Sequence, residues 1–226
     1  MEYNTVLPGR FLTRPNRFIA HIEIDGKTEI CHVKNTGRCR ELLLPGAEVY
    51  VVPATNPDRK TRFDLVAVRR GEAMINIDSI APNLAFGEWV EKSGFFGKLC
   101  TIRPECTFRS SRFDLYLETD AEKIFCEVKG VTLTENGIVR FPDAPTERGS
   151  KHLRELMECI RSGFSAHVFF IAQMEDVQFF TPNRAMDPVF ADTLLEAARL
   201  GVGVHCLSCN VTPSSMEIKD FVPVQL

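Results

Sequence analysis

Three charged residues stand at a spacing that could do chemistry: Asp114 in Arg112-Phe113-Asp114-Leu115-Tyr116-Leu117-Glu118, and Glu127 with Lys129 in Ile124-Phe125-Cys126-Glu127-Val128-Lys129-Gly130. In an extended strand side chains alternate between faces, so Glu127 and Lys129 leave the same face roughly 7 Å apart, with Val128 turned into the core between them. The same alternation places Phe113, Leu115 and Leu117 on one face and Asp114 on the other. Twelve residues separate Asp114 from Glu127, a length that suits a hairpin laying the two strands side by side. Two carboxylates and a backbone carbonyl, that of Val128, are hard oxygen donors suited to Mg²⁺ or Mn²⁺, ions that keep some of their own waters. A lysine beside them can orient or deprotonate such a water and offset charge developing on a phosphate, while the metal serves as Lewis acid and template. The pattern points to phosphodiester hydrolysis, and the plainer alternative is a solvated face on an ordinary hairpin.

These residues need elements to hold them. Between residues 17 and 77 the sequence reads as short strands at Phe18–Ile24, Glu29–Val33, Ala47–Val52, Phe63–Val68 and Met74–Ile77, separated by Asp-Gly, Thr-Gly and Pro-Gly turn signals. Five short strands with no helical period predict a small closed barrel of the OB type, since closure removes exposed edges. Near Asn83 the texture changes: Asn83 can cap a helix carrying Leu84, Trp89 and Val90, with Gly94 as its stop. The domain boundary is placed there, giving a barrel over 1–82 and a second domain over 83–226. In the second, a strand pair around Thr107–Glu118 and Lys123–Leu133 precedes a helix with Leu153, Leu156, Met157 and Ile160 on one face, closed by Gly163. An apolar strand at Ala166–Ala172, a helix opened by Asp187-Pro188 and running to about Leu200, and a strand at Val202–Leu207 complete an α/β domain.

Composition narrows the classes. The chain has 226 residues, 44% apolar and 25% charged, which excludes fibrous and disordered readings and leaves room for two compact domains. No apolar stretch approaches the roughly 20 residues of a membrane helix, and residues 1–5 carry no secretory pattern, so a cytoplasmic protein without membrane contact is expected. Eight cysteines spread through a chain of this size are expected to be reduced and mostly buried thiols. Cys206-x-x-Cys209 beside His205 has no second pair at zinc-ligand spacing and reads as two packed strand thiols. His21, His32 and His167 sit in strand patterns and read as structural. The formal net charge is −3, so any contact with a polyanion has to come from local clusters.

Longer segments carry a resemblance. Gly9-Arg10-Phe11, Arg14-Pro15-Asn16-Arg17-Phe18, His32-Val33-Lys34-Asn35-Thr36-Gly37-Arg38, Glu41-Leu42-Leu43, Arg59-Lys60-Thr61 and Asn76-Ile77-Asp78-Ser79 resemble the sugar fermentation stimulation protein A family. Ser111-Arg112-Phe113-Asp114, Glu127-Val128-Lys129-Gly130-Val131-Thr132-Leu133 and the run from Phe141-Pro142-Asp143 through Glu147-Arg148-Gly149-Ser150-Lys151-His152-Leu153 continue the match over nearly the whole chain. The resemblance implies an N-terminal OB-fold domain joined to an α/β domain like the PD-(D/E)xK (restriction-endonuclease-like) nucleases, in a DNA-binding protein. Asp114 then takes the motif's Asp, and Glu127 and Lys129 its ExK. Phe113 replaces the motif's Pro, which is not a ligand, while the literal Pro142-Asp143 lies after the ExK.

Further candidates surround this core. Glu105 could add a third acidic group nine residues before Asp114, with Arg112 nearby. Asp143, Glu147, Arg148, Lys151 and His152 run into a helix whose N-terminus favours phosphate. In the barrel Arg14, Asn16, Arg17, Asn35, Arg38 and Arg40, with the basic loop Arg59-Lys60, could meet a DNA backbone, and Phe11 or Phe18 could stack on bases if not buried. Three functions follow: a Mg²⁺- or Mn²⁺-dependent DNA nuclease; a non-catalytic, sequence-nonspecific DNA-binding regulator affecting sugar (maltose) metabolism, which the family resemblance implies; and an interaction protein with no nucleic-acid role, consistent with a pI near 6.0. The oligomeric state stays open between monomer and homodimer.

Overall fold

The structure, a computed structural model, describes residues 1–35, 37–56 and 58–226. The first unit is built from β1 (Leu7–Asn16), β2 (Ile19–Ile24), β3 (Lys27–Val33), β4 (Glu48–Pro53), β5 (Phe63–Arg70) and β6 (Ala73–Asn76). The strand order β3-β2-β1-β4-β5-β6, with β3 also paired to β5, closes a five-stranded barrel and leaves β6 attached outside the ring. β1 lies outside the strands predicted from sequence, because its Pro8, Gly9 and Pro15 break the β signal. Its register with both β2 and β4 shows that the barrel cannot close without it. The fifth expected strand, β6, is the appended one. Phe11, Ile22, Val33, Val49 and Leu65 fill the interior.

The second unit opens with α1 (Ala81–Ser93) and continues through β7 (Leu99–Phe108), β8 (Ser111–Thr119), β9 (Lys123–Val131), β10 (Thr134–Glu135), β11 (Ile138–Phe141), α2 (Glu147–Arg161), β12 (Ser165–Ala172), β13 (Phe179–Pro182), α3 (Pro188–Leu200), β14 (Gly203–Val211) and β15 (Met216–Val222). Its main sheet runs β15-β14-β12-β9-β8-β7, and β10, β11 and β13 form a smaller sheet. β9 is parallel to β12 and antiparallel to β8, so it lies near the sheet centre. The helix α2 packs Leu153, Leu156 and Met157 into the core that holds Val168 and Phe170. On the opposite face α1 packs Ala85, Phe86 and Val90 against Phe169, Ile171 and Cys126. An α/β domain with helices on both faces of a mixed sheet results, as the alternating elements predict.

Two local expectations are corrected and a third is met. The helix α1 starts at Ala81, ahead of Asn83: Pro82 occupies its first turn, Ile80 stands at the cap position without a side-chain bond, and Asn83 is free for another partner. Strict alternation along β8 breaks at Asp114, since Phe113 lies in the α2-side core while Leu115 and Leu117 lie in the α1-side core. The β8–β9 ladder stops at the pair Leu115–Cys126, which releases the backbone there. The cysteines are all free and, as expected, mostly buried: six are buried thiols, with Cys106 half-buried and Cys100 exposed.

The two units share buried polar contacts. Gln173, following β12, donates from Nε2 to the carbonyls of Asn76 at 3.0 Å and Asp78 at 3.1 Å. Lys34 Nζ donates to Asp78 Oδ2 at 2.7 Å, and Tyr3 Oη donates to the same oxygen at 3.2 Å. Burial and Asp78's charge hold the Tyr3 phenol far above its usual range. Among the described residues no helix is long and apolar enough to cross a membrane.

Candidate functional site

Asp114, Glu127 and Lys129 converge where β8 and β9 separate. Because the ladder ends one residue earlier, Asp114 Oδ2 accepts a hydrogen bond of 2.7 Å from the Val128 N–H, replacing the strand partner that this donor lacks. Its other oxygen, Oδ1, accepts from Asn83 Nδ2 at 2.7 Å, so the freed residue in α1 anchors the carboxylate from the opposite layer. No sequence signal marked Asn83 for this role, because its cap-like position offered a local explanation.

Glu127 lies on the α2 side and is only 3% exposed. Its Oε1 accepts from Lys129 Nζ and from His152 Nδ1, while its Oε2 is buried without a partner. His152, on the buried face of α2, also holds Arg148: Arg148 Nε donates to His152 Nε2 at 3.4 Å. That bond makes Nε2 the acceptor, so the imidazole proton sits on Nδ1 and points at Glu127. The helix places His152 here because Leu153, Leu156 and Met157 fix its rotation, and Thr146 caps it by accepting from Gly149 N at 3.0 Å.

The two carboxylates are driven apart in proton affinity. Burial pushes Asp114 up and the negative charge of Glu127 adds to it, against the opposing effects of Val128 N–H, Lys129 and Asn83. Burial also raises Glu127, but the bond from His152 and the charge of Lys129 outweigh it, and the group ends below its usual range. Paired carboxylates pushed in opposite directions are a common property of sites that handle protons or cations.

The remaining candidates divide. Glu105 lies within β7, is exposed with φ +53°, and pairs at 3.4 Å with Arg112 on the solvent side, so it adds no third acid. Asp143 Oδ2 accepts from Arg38 N at 2.7 Å, tying the loop after β11 to the barrel loop. Glu147 and Arg148 are exposed at the start of α2, and Lys151 Nζ donates to the Ser110 carbonyl at 3.2 Å. In the barrel Arg14 is a loop staple and not a free cation. Its guanidinium donates to the carbonyls of Arg17, Asn35, Gly37 and Arg38 at 2.7–3.0 Å. Asn16 Oδ1 accepts from Phe18 N at 2.9 Å and Asn35 Oδ1 from Gly37 N at 2.7 Å, so both amides shape turns. Arg59 is paired with Asp64 at 2.6 Å, while Lys60 is exposed. Thr36, within the resembling segments, lies outside the described residues. Arg17, Arg38 and Arg40 are exposed on the barrel, Phe18 is 49% exposed and Phe11 belongs to the core.

Gly130 is the one position of β9 where the backbone must be bare. A Cβ there would stand 2.4 Å from Gln173 Oε1 and 2.8 Å from Pro82 Cγ. The close approach packs the end of the Glu-x-Lys strand against α1 and the residues that join the two units.

Comparison with known proteins agrees with this architecture. Residues 12–77 match the family model described as the SfsA N-terminal OB domain, and residues 80–215 that of the sugar fermentation stimulation protein RE domain. A sugar fermentation stimulation protein homolog of Desulfitobacterium hafniense is 56% identical over 226 residues, covering 100% of this chain and 99% of the relative. One from Clostridium beijerinckii is 52% identical, with 100% of both chains covered. The solved structure of Pyrococcus furiosus SfsA in complex with Ca²⁺ superposes with a TM-score of 0.92 at 30% identity, covering 100% of this chain and 98% of that one. The chain therefore belongs to the sugar fermentation stimulation protein family, with an N-terminal OB barrel and a C-terminal α/β domain.

Proposed function

We propose that the protein is a divalent-metal-dependent DNA phosphodiesterase whose reacting centre is Asp114, Glu127 and Lys129. The observation that carries this reading is Glu127 Oε2, a buried carboxylate oxygen with no partner, beside a second, half-buried carboxylate raised by burial and by the charge of Glu127. An orphaned buried oxygen and like-charge crowding are both relieved by a cation. Asp114, Glu127 and the Val128 carbonyl are the oxygen donors that would hold it, and hard ions such as Mg²⁺, Mn²⁺ or Ca²⁺ take such donors. The Pyrococcus furiosus relative was solved in complex with Ca²⁺, in keeping with that donor chemistry. When bound, the ion would supply Lewis-acid stabilisation of the phosphate and a more acidic water.

The chain's own groups do the rest. Lys129 is 18% exposed at its side chain, so its ammonium reaches the open side of the site while remaining attached to Glu127. There it is placed to offset charge on phosphate oxygens and to orient an attacking water. His152, held by Arg148, keeps Glu127 ionised and fixes Oε1 as its bonded oxygen, leaving Oε2 without a protein partner. Asn83 does the same for Asp114 from α1. The barrel, with Arg17, Arg38 and Arg40 exposed, would hold the strand.

A second reading, a DNA-binding regulator that does not cut, is favoured by one observation. Among the described residues no group of three His, Cys, Asp or Glu side chains forms a metal cluster, so only two side-chain acids meet here. The experiment that separates the readings is incubation of the purified chain with DNA in Mg²⁺ or Mn²⁺, with Glu127→Gln and Lys129→Ala in parallel and binding measured on the same samples. Cleavage lost in both variants with binding retained supports the nuclease. Equal binding by all three without cleavage supports the regulator, and no binding at low salt refutes both.

A further inference from the structure

The space beside the end of β9 bears on which form of DNA the site accepts. Past Gly130 the chain forms one wall of a cavity of about 340 Å³, with Thr132 on that side and Arg17 and Asn35 of the barrel facing it. Arg140 and Pro142, from the end of β11, close it. A wider groove of about 620 Å³, lined by Arg38 and Arg40, shares Arg17, Gly37, Ala144 and Pro145 with that cavity. One continuous path thus runs from the barrel rim to the residue after Lys129. Its two walls are tied together, because Arg38 N donates to Asp143 Oδ2 at 2.7 Å across them, and the staple of Arg14 fixes the barrel loop.

Size and lining select among polyanions. A volume near 340 Å³ is at the bottom of the range that holds a small organic ligand, which is the scale of one nucleotide. A duplex presents two backbones about grooves of roughly 12 and 6 Å and cannot enter such a space. Among the described residues no carboxylate lies within ion-pair distance of Arg17, Arg38, Arg40 or Arg140, so these cations are available. Next in the chain to Arg17, which lines both spaces, Phe18 is 49% exposed, with the Arg17 guanidinium 5.9 Å from its ring centroid. An exposed ring beside a basic groove is how sequence-tolerant single-strand sites bind, because every base has a face that stacks. Phe11, seven residues earlier, is 2% exposed, so the exposure of Phe18 is not general to the barrel's aromatics.

We propose that the protein takes an unpaired DNA strand, with one base stacked on Phe18 and one nucleotide seated between Arg17 and Arg140, leading the adjoining phosphate to Lys129. This rests on the phosphodiesterase reading above and names its substrate as single-stranded.

The test is fluorescence anisotropy of the full chain with a labelled oligothymidylate, a matched duplex, and the same duplex carrying an unpaired tail, in EDTA and low salt. Wild type is compared with Phe18→Ala and Arg140→Gln, both at sites outside the core, with melting curves to show that each is folded. The expected result is single-strand and tailed binding at least about tenfold tighter than duplex, and a loss of about five- to hundredfold on the single strand for Phe18→Ala, the range set by base–aromatic stacking. Arg140→Gln should lower the single-strand salt slope by about 0.7, the release of one phosphate's counterions. Duplex bound as tightly as single strand, with Phe18→Ala neutral, overturns the proposal and leaves a DNA-binding protein. Absence of binding to every probe overturns the proposal together with the DNA reading.

Discussion

Replacing Asp114 by Asn separates what the site costs the fold from what it does. The carboxylate is half-buried, and at a separation of roughly 6–8 Å from Glu127, the diagonal spacing of neighbouring strands, an effective dielectric near 20 gives a repulsion of about 2–3 kcal/mol. The ammonium of Lys129 opposes that repulsion, leaving a residual that adds to burial in raising Asp114. An amide of the same shape removes the residual and the burial penalty on charge. It keeps an oxygen for the Val128 N–H, and Asn83 meets the new NH₂ by turning its own amide. Against this, two hydrogen bonds lose their ionic partner, about 1 kcal/mol each. The sum leaves the metal-free variant within about 1 kcal/mol of wild type, or about 2–4 °C in Tm for a chain of this size. The response to metal differs far more. At a hundredfold excess over Kd, bound Mn²⁺ stabilises wild type by about 2.7 kcal/mol, a rise of roughly 5–10 °C, and the variant should show none. Thermal melts with and without Mn²⁺ decide it. A variant that keeps the full metal-induced rise refutes Asp114 as a ligand, and one that melts far below wild type without metal refutes the electrostatic account.

Four further outcomes are expected. Replacing His152 by Leu should weaken Mn²⁺ binding about 10–100-fold by calorimetry, and His152→Asn, whose amide can present a donor where Nδ1 stands, should recover most of it. Gly130→Ala should lower the melting temperature by about 4–10 °C, since its Cβ would meet Gln173 Oε1 at 2.4 Å and overpacking costs about 1–3 kcal/mol. Arg14→Lys should weaken DNA binding although charge is kept, because one ammonium cannot serve the four carbonyls that shape the loop; anisotropy on a common probe reads this. Burial and the neighbouring His167 lower His205 to about 4, so the unfolded chain takes up a proton near pH 6.5 that the folded one refuses. Stability should therefore fall as pH drops from about 6.5 to 4, by about 1–2 kcal/mol after allowance for the solvent-exposed part of the ring, and His205→Phe should flatten that limb of a urea-melt series.

Much of the fold was legible because local chemistry and tertiary need coincide. The apolar positions of α2 repeat at helical spacing, and Asp187-Pro188 opens α3 with a side-chain cap on Phe190 N. The strands β2 to β5 carry β-branched residues between polar turn segments. Where the reading failed, another contact prevailed over local preference. Leu7–Asn16 contains two prolines and a glycine, yet pairing on both sides makes it β1. Gly9 is needed there, since a Cβ would lie 2.6 Å from Ile22 Cγ2. The edge strands β7 and β15 likewise owe their form to their neighbours.

The site shows the same division. The types and spacing of Asp114, Glu127 and Lys129 are properties of the chain, as is the face that Glu127 shares with Lys129, because strand periodicity follows from backbone geometry alone. The end of the β8–β9 ladder, which turns Asp114 onto Val128 N, is set by non-local pairing and could be read only from the folded molecule. So too is the choice of partners. Asn83 and His152, 31 residues before Asp114 and 25 after Glu127, reach the carboxylates from helices on opposite faces of the sheet. Arg14, counted among the cations in sequence, is consumed by four carbonyls, whereas Phe18, whose residue type favours burial, stays in solvent. Hydrogen-bond capacity and burial belong to the environment a side chain meets, and that environment exists only after residues distant in sequence have packed together.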